Sequence, residues 1–503
     1  MLKGPPARRK RRGADRHKRQ AGATETPAKT KPRGDVITTL RRYYHPHLFP
    51  QMTPHQRHVM QQLLGCRSGR YGSRAHYCPD CRHGQITLNS CGNRHCTRCG
   101  DGRRSAWRDR MAAIALSVPY LHNVYTTPHE FNAIHTLSEA NVRAMVQLIF
   151  DSSIATIKKV LKREKYGIGT PAMIMTLHSW GQRMLCHVHV HTVLVAGGIS
   201  VDGKRWIQLD LDEQALAELK RELAAEYRRT YLRRLRGRIR SGKIQMSGDG
   251  SLQAADALIA KVKQKDWMVD LQASPQQWEG GPEGIINYLA SYVSGAAISD
   301  VRIVEDDGRY VTIAYKDYRQ DKRKCTERMR GEEFVRRFVM HFLPPYCRRI
   351  RYGGFYSPQE RREKLDRVLE LITEFHGGTL PTIQKAEEVS AVDDRPRAEG
   401  REELFLGSGN ERKTFPATCR FCKQYMDPMA LLDAQTTLRI LPYLVAVMQW
   451  LSGQLAAPPK EPPRGVPYVV LFLIQREHRC LARRQAAIET NRQDTRGSPT
   501  VAA

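Results

Sequence analysis

The sequence predicts an α+β fold preceded by a small zinc-binding domain. Three observations carry this. Six of the twelve cysteines crowd between Cys66 and Cys99, interleaved with histidines. Behind them, residues 172–178 and 187–196 read as paired strands, and Asp202-Gly203 turns a hairpin between residues 199–201 and 206–207. Long helical patterns at 138–161 and 213–240 separate the strands.

Taken in order, residues 1–36 are rich in Pro, Gly, Lys and Arg and predict a disordered basic tail. Residues 37–117 form the zinc-binding region: a short helical pattern opened by Thr53-Pro54, the Cys/His cluster, and a basic helix around Ala106, Trp107 and Met111. Residues 118–355 hold the main domain. A strand at 122–127 is stopped by Pro128. The long helix, the paired strands and the hairpin follow, then the charged helix 213–240 and a strand at 267–271. Gly280-Gly281-Pro282 breaks the chain before a helix at 283–294. Strands at 301–304 and 310–316 and a basic helical region at 331–343 complete it. Residues 356–481 read as a polar linker and a small C-terminal region opened by Cys419-x-x-Cys422, and 482–503 as a loose tail.

The chain has 503 residues and 82 Lys/Arg against 51 Asp/Glu, a formal net charge of +31. Such an excess calls for a polyanionic partner, and nucleic acid is the ordinary one. The first 34 residues carry 12 of the Lys/Arg, so most of the excess belongs to the folded body. No apolar run reaches the length of a membrane span. The N-terminus lacks the apolar stretch of a secretory signal.

The cysteine cluster reads Cys66, His76, Cys78-x-x-Cys81, Cys91, His95-Cys96-x-x-Cys99. A CxxC turn presents two thiolates to tetrahedral Zn²⁺, and closed four-ligand sites are structural. Spacing groups Cys78, Cys81, Cys96 and Cys99 as one site and Cys66, His76, Cys91 and His95 as a second, so two zinc ions are expected. His83 is a spare.

Cys186-His187-Val188-His189-Val190-His191 sets three imidazoles on one face of a strand. Histidines two apart lie about 6.5–7 Å apart at Cα and can converge on one ion, which leaves room for only two of the three. Tyr288 and Tyr292, at i and i+4, put two hydroxyls on one helix face. Each motif alone has an ordinary reading as a half-buried strand or a packed core. Together they point to metal-assisted attack of a phenol on a phosphodiester. Gly198-x-x-x-x-Gly203-Lys204 begins like a nucleotide-binding loop, but Arg205 stands where Ser or Thr is required, so no nucleoside triphosphate is expected.

Five ordered blocks now carry a resemblance. They are the cluster with Ser90-Cys91-Gly92-Asn93-Arg94-His95-Cys96; Val124-Tyr125-Thr126-Thr127-Pro128-His129-Glu130; and Leu177-His178-Ser179-Trp180-Gly181-Gln182 leading into the histidine strand. The last two are Tyr288-Leu289-Ala290-Ser291-Tyr292 with Ala297-Ile298-Ser299, and Tyr315-Lys316-Asp317-Tyr318-Arg319. The chain resembles the two-tyrosine HUH rolling-circle transposases of bacterial insertion sequences.

The resemblance implies an HUH endonuclease domain, an antiparallel sheet with flanking helices, the histidine pair on a central strand and the tyrosine helix against it. It implies His189 and His191 as the pair holding catalytic Mg²⁺ or Mn²⁺, with His187 a neighbour. Tyr288 and Tyr292 become the nucleophiles, single-stranded DNA the substrate, and a 5′-phosphotyrosine the intermediate. The location implied is the bacterial cytoplasm, at the nucleoid. His129, Glu130, His178 and Gln182 are candidates for a third ligand. The family usually carries a basic residue three positions after the second tyrosine, where this chain has Gly295. A plasmid or phage replication initiator or relaxase, and a catalytically weakened zinc-dependent DNA-binding protein, are the alternatives.

Overall fold

A computed structural model describes residues 34–78, 84–112, 114–246, 252–265, 267, 269–273, 284, 287, 290, 295–378 and 427–451. Within the expected linker and C-terminal region, residues 379–426 with Cys419 and Cys422 lie outside the described residues, as does the tail at 482–503.

Order begins earlier than the composition of the first 36 residues predicts. Helix α1 (Val36–Tyr43) starts at a buried valine, because the Asp35 side chain accepts from the backbone N–H groups of Ile37 and Thr38. Helix α2 (Pro54–Leu64) has a full capping box between Thr53 and Gln56, with Pro54 in its first turn. Strands β1 (Ser73–Tyr77) and β2 (Gly84–Leu88) form an antiparallel hairpin, and α3 (Gly100–Ala112) follows.

Next come β3 (Tyr120–Thr126), a short α4 (Asn132–His135) and α5 (Glu139–Leu161), the last capped by Ser138. The two long strands β4 (Ile168–Trp180) and β5 (Cys186–Ser200) precede the short β6 (Trp206–Gln208). Gly203 turns this hairpin at φ +77°, a conformation open to glycine. Helices α6 (Glu213–Arg240) and α7 (Leu252–Lys263) lead to β7 (Val269–Ala273). This strand starts two residues later than the sequence predicts. Trp267 is instead buried against the rings of Tyr227 and Tyr231, at 5.5 and 5.4 Å.

Strands β8 (Ile303–Asp306), β9 (Tyr310–Asp317) and β10 (Arg323–Arg330) run into α8 (Gly331–Val339). Strand β11 (Ile350–Gly354), α9 (Pro358–Phe375), β12 (Asp427–Leu432) and α10 (Ala434–Leu451) finish the described chain. No described helix is long and apolar enough to cross a membrane.

The main sheet has six strands, in the order β11-β4-β5-β3-β7 with β6 added to β5, and every pairing is antiparallel. One face packs Val188, Val190 and Leu194 of β5 against α5 and α6. The other packs Val193 and Val195 against Trp107 and Met111 of α3 and against Val368, Leu371 and Ile372 of α9. The core of the sheet thus continues through α9, past the boundary expected at residue 355.

Two contacts cross the expected domain boundaries. Helices α1 and α2 share one apolar core with β8–β10 and α8, through Val36, Leu40, Val59, Ile313 and Phe334. Gly331 lies so close to the Tyr43 ring that any Cβ there would collide with it. Strand β12 adds to the cysteine hairpin, pairing antiparallel with β1 from Ser73–Leu432 to Tyr77–Asp427. The C-terminal region therefore builds part of the N-terminal sheet.

Candidate active site

Alternation along β5 decides what each side chain meets. Val188, Val190, Thr192 and Leu194 alternate with His187, His189, His191 and Val193, so the histidines share a face with the α3 and α9 helices. The sheet register then brings in a third imidazole. His178 on β4 is the direct partner of His189, and one ligand nitrogen from each of His178, His189 and His191 lies within 4.8 Å of the others.

The hydrogen bonds favour one tautomer. His189 Nδ1 lies 2.9 Å from the His187 carbonyl oxygen, so it donates and leaves Nε2 with a lone pair. That Nε2 is 3.1 Å from Nε2 of His191. On the far side of the His191 ring, Nδ1 is 3.1 Å from Nε2 of His122 on β3. Burial, and then the His178 imidazole, hold His189 and His191 well below the usual histidine range. Burial likewise lowers His122 to about 4, against the pull of the Asp270 carboxylate. These rings are neutral at pH 7, the form that binds metal. Two nitrogens bound to one divalent ion at about 2.1 Å sit about 3 Å apart at a right angle, so the observed spacing fits.

The other third-ligand candidates lie elsewhere. His129 is 80% exposed and paired with Glu130, which also bonds Lys265. Gln182 uses its carbonyl for Arg302 and its side chain for the Lys316 amide. Trp180 stacks on His178 at 4.7 Å and carries the Arg349 guanidinium 5.3 Å above its ring. Arg349 Nη1 also donates to the Gly295 carbonyl at 2.6 Å, so an arginine from elsewhere in the chain holds the backbone where the resemblance expects a basic side chain.

Tyr288 and Tyr292 lie outside the described residues. Between them Ala290 is helical and fully buried in the core on the histidine face. One turn earlier, Asn287 accepts from Arg108 of α3 at 3.3 Å.

The cysteines assemble differently from the grouping that spacing predicts. Cys66, Cys91, Cys96 and Cys99 come together, with Sγ–Sγ separations of 3.5 Å for Cys66–Cys96, 3.6 Å for Cys66–Cys99 and 3.7 Å for Cys91–Cys99. A disulfide needs about 2.05 Å. Tetrahedral zinc with bonds of about 2.3 Å sets its sulfurs about 3.8 Å apart, so the donor set fits zinc. Hydrogen bonds from the Cys91 and Cys96 thiols draw Cys66 down to about 7. Gly92, at φ +65°, and the Asn93 amide bonded to Cys91 Sγ shape the turn.

The hairpin explains the regrouping. Cys66 and Cys91 flank its Ser73–Leu88 end, whereas Cys78 follows the Tyr77–Gly84 end, about 17 Å of strand away. Cys81 and the spare His83 lie outside the described residues. His76 stays at that far end, its Nε2 3.2 Å from Thr87 Oγ1. His95 is buried with its Nε2 accepting from the Leu343 amide, and joins the catalytic half rather than the four sulfurs.

The comparisons agree with this layout. Residues 172–364 match the family model described as "Putative transposase", and residues 37–127 match "Transposase zinc-binding domain". The chain is 30% identical over 344 residues to "Putative transposase y4qJ" of Sinorhizobium fredii (strain NBRC 101917 / NGR234), covering 68% of this chain and 83% of that protein. It is 24% identical over 336 residues to "Transposase for insertion sequence element IS801" of Pseudomonas savastanoi pv. phaseolicola, covering 65% and 76%. No solved structure matches. A zinc-binding domain ahead of a transposase domain, with transposase relatives matching about two thirds of its length, places this chain in the family of IS801/IS91-type transposases, DNA-cleaving enzymes of insertion sequences.

Proposed function

We propose that this transposase cleaves and rejoins single-stranded DNA through a 5′-phosphotyrosine, moving its element by a rolling-circle route. The observation that carries the reading is the group of three imidazoles, His178, His189 and His191, gathered on one sheet face. These residues would hold Mg²⁺ or Mn²⁺, which supplies charge for a scissile phosphate. His122 orients the His191 ring through Nδ1, and the His187 carbonyl orients His189.

Tyr288 and Tyr292 are the nucleophiles in this proposal. A phenolic oxygen attacks phosphorus, the bond from phosphorus to the 3′ oxygen breaks, and that oxygen leaves as a hydroxyl. The new ester keeps the energy of the old one, so rejoining needs no nucleotide. A second tyrosine accepts the other strand while the first is occupied. The four-cysteine zinc site is structural: it ties the N-terminal helices together, and His95 and Arg94 beside it bond to the 343–347 segment behind the histidines.

The test is covalent trapping. Purified protein with single-stranded DNA from the element's end and Mn²⁺ is expected to give a denaturation-resistant adduct, which chelator prevents. DNA cleaved by a water molecule, with both ends free and no protein attached, would overturn the reading.

A further inference from the structure

We propose that the exposed arginine face of α6 docks the backbone of duplex DNA, on the side of the sheet opposite the histidine cluster. The run from Arg228 to Lys243 contains eight basic residues and no acidic one. Its placement is fixed by the helix. Arg229, Arg233, Arg236 and Arg240 are exposed at i, i+4, i+7 and i+11 and share one face. Tyr227, Tyr231 and Leu235, on the other side of the helix, are fully buried.

Several surface arginines of this protein sit against acids: Arg183 on Glu327 at 2.6 Å, Arg336 on Glu333 at 2.6 Å, Arg367 on Glu370 at 2.9 Å. On α6, Arg229 and Arg236 have Glu226 and Asp256. Among the described residues, Arg233 and the following Lys243 form no ion pair with an acid, and Arg240 shares the pull of Asp256, which Arg236 holds. Like charges held one turn apart repel, and a bound polyanion relieves this.

The occupant follows from shape and chemistry. Eleven residues of helix span roughly 16 Å, matching about five phosphates of one strand along a duplex axis. A single strand binds best where aromatic rings stack on its bases. The one aromatic residue in the run, Tyr231, is buried, so this face offers charge and no stacking surface. The sheet separates α6 from the histidines, since α6 packs on the Val188–Val190 side. A duplex held here leaves the cleavage face open to a single strand, and this does not depend on which residue is the nucleophile.

The test uses the full chain, a labelled 30-base-pair duplex and a short single-stranded oligonucleotide, titrated across a salt series. For the triple variant Arg233→Ala/Arg240→Ala/Lys243→Ala, the slope of log affinity against log salt for the duplex is expected to fall by about 2–3, near 0.9 per lost phosphate contact. Duplex affinity at physiological salt falls at least about tenfold, while single-strand cleavage stays within about twofold. Arg233→Lys/Arg240→Lys keeps the charge and is expected to keep the slope, which separates lost contacts from lost folding. An unchanged duplex slope in the triple variant overturns the proposal. So does equal loss of single-strand and duplex binding, which would make α6 part of the cleavage channel.

Discussion

His178 and His189 are direct partners across the β4–β5 ladder, with ring centroids 5.4 Å apart. Residues facing each other on one side of an antiparallel pair act as a unit. Here the unit reaches toward His191 and makes a three-nitrogen pocket.

The first prediction concerns this pocket. His189→Ala and His191→Ala are each expected to lower cleavage at least about a hundredfold, which corresponds to about 3 kcal/mol of transition-state stabilisation. His178→Ala is expected to fall in the same class, and His187→Ala to keep most activity. DNA affinity should change little in all four, because phosphate contacts elsewhere supply it. Single-turnover cleavage beside equilibrium binding checks this. Near-normal cleavage by His178→Ala would remove it from the metal site.

Much of this was legible in the sequence. The alternation of β5 showed which histidines share a face, and its pairing with residues 172–178 was also readable. The register was not. Trp180 pairs with Cys186, and counting back from there would set His178 opposite Val188; an irregularity between His178 and Trp180 shifts the register by one and brings His178 to His189. The zinc grouping was not legible either, because spacing alone treats CxxC pairs as neighbours. Only the hairpin shows that Cys78 ends one strand while Cys66 and Cys91 flank the other end. The union of β12 with β1 was likewise hidden, since it joins segments about 350 residues apart through backbone hydrogen bonds that leave no side-chain pattern.

The second prediction concerns zinc. Cys66→Ser or Cys91→Ser is expected to lose one tightly bound zinc per chain and to destabilise the N-terminal region, since metal binding there is folding free energy. Cys78→Ser should leave that ion in place. Elemental analysis with thermal melting decides. Loss of the same ion in the Cys78 variant would restore the grouping by spacing.

The third concerns pH. His341 is fully enclosed, with Nε2 donating to the Met184 carbonyl and Nδ1 accepting from Ser179. Burial lowers it to about 4, against the pull of the Met184 carbonyl and with a push from Arg349. The unfolded chain takes up a proton near pH 6.5 and the folded chain does not, so stability is full above 6.5 and is lost as pH falls toward 4. One such group contributes on the order of 1.4 kcal/mol per pH unit in that window. His341→Gln should melt lower at pH 7.5 yet lose less on going to pH 5 than the wild type. Parallel melting-temperature curves for the two proteins would show that His341 is not the titrating group.

The last concerns the tyrosines. Tyr288 and Tyr292 are spaced i and i+4 in the sequence, a spacing that on a helix sets both hydroxyls on one face, so in the proposed mechanism each can serve one phosphate in turn. Tyr→Phe removes the hydroxyl and keeps the ring, so it leaves any packing role intact. Each single Phe variant is expected to retain adduct at the remaining tyrosine, and the double variant to form none. Transfer between two DNA ends needs both hydroxyls, so each single variant should cleave but fail to exchange strands. Peptide mapping of the trapped adduct decides. Undiminished adduct in the double variant, or adduct on a third residue, would make the pair ordinary core packing and place the nucleophile elsewhere.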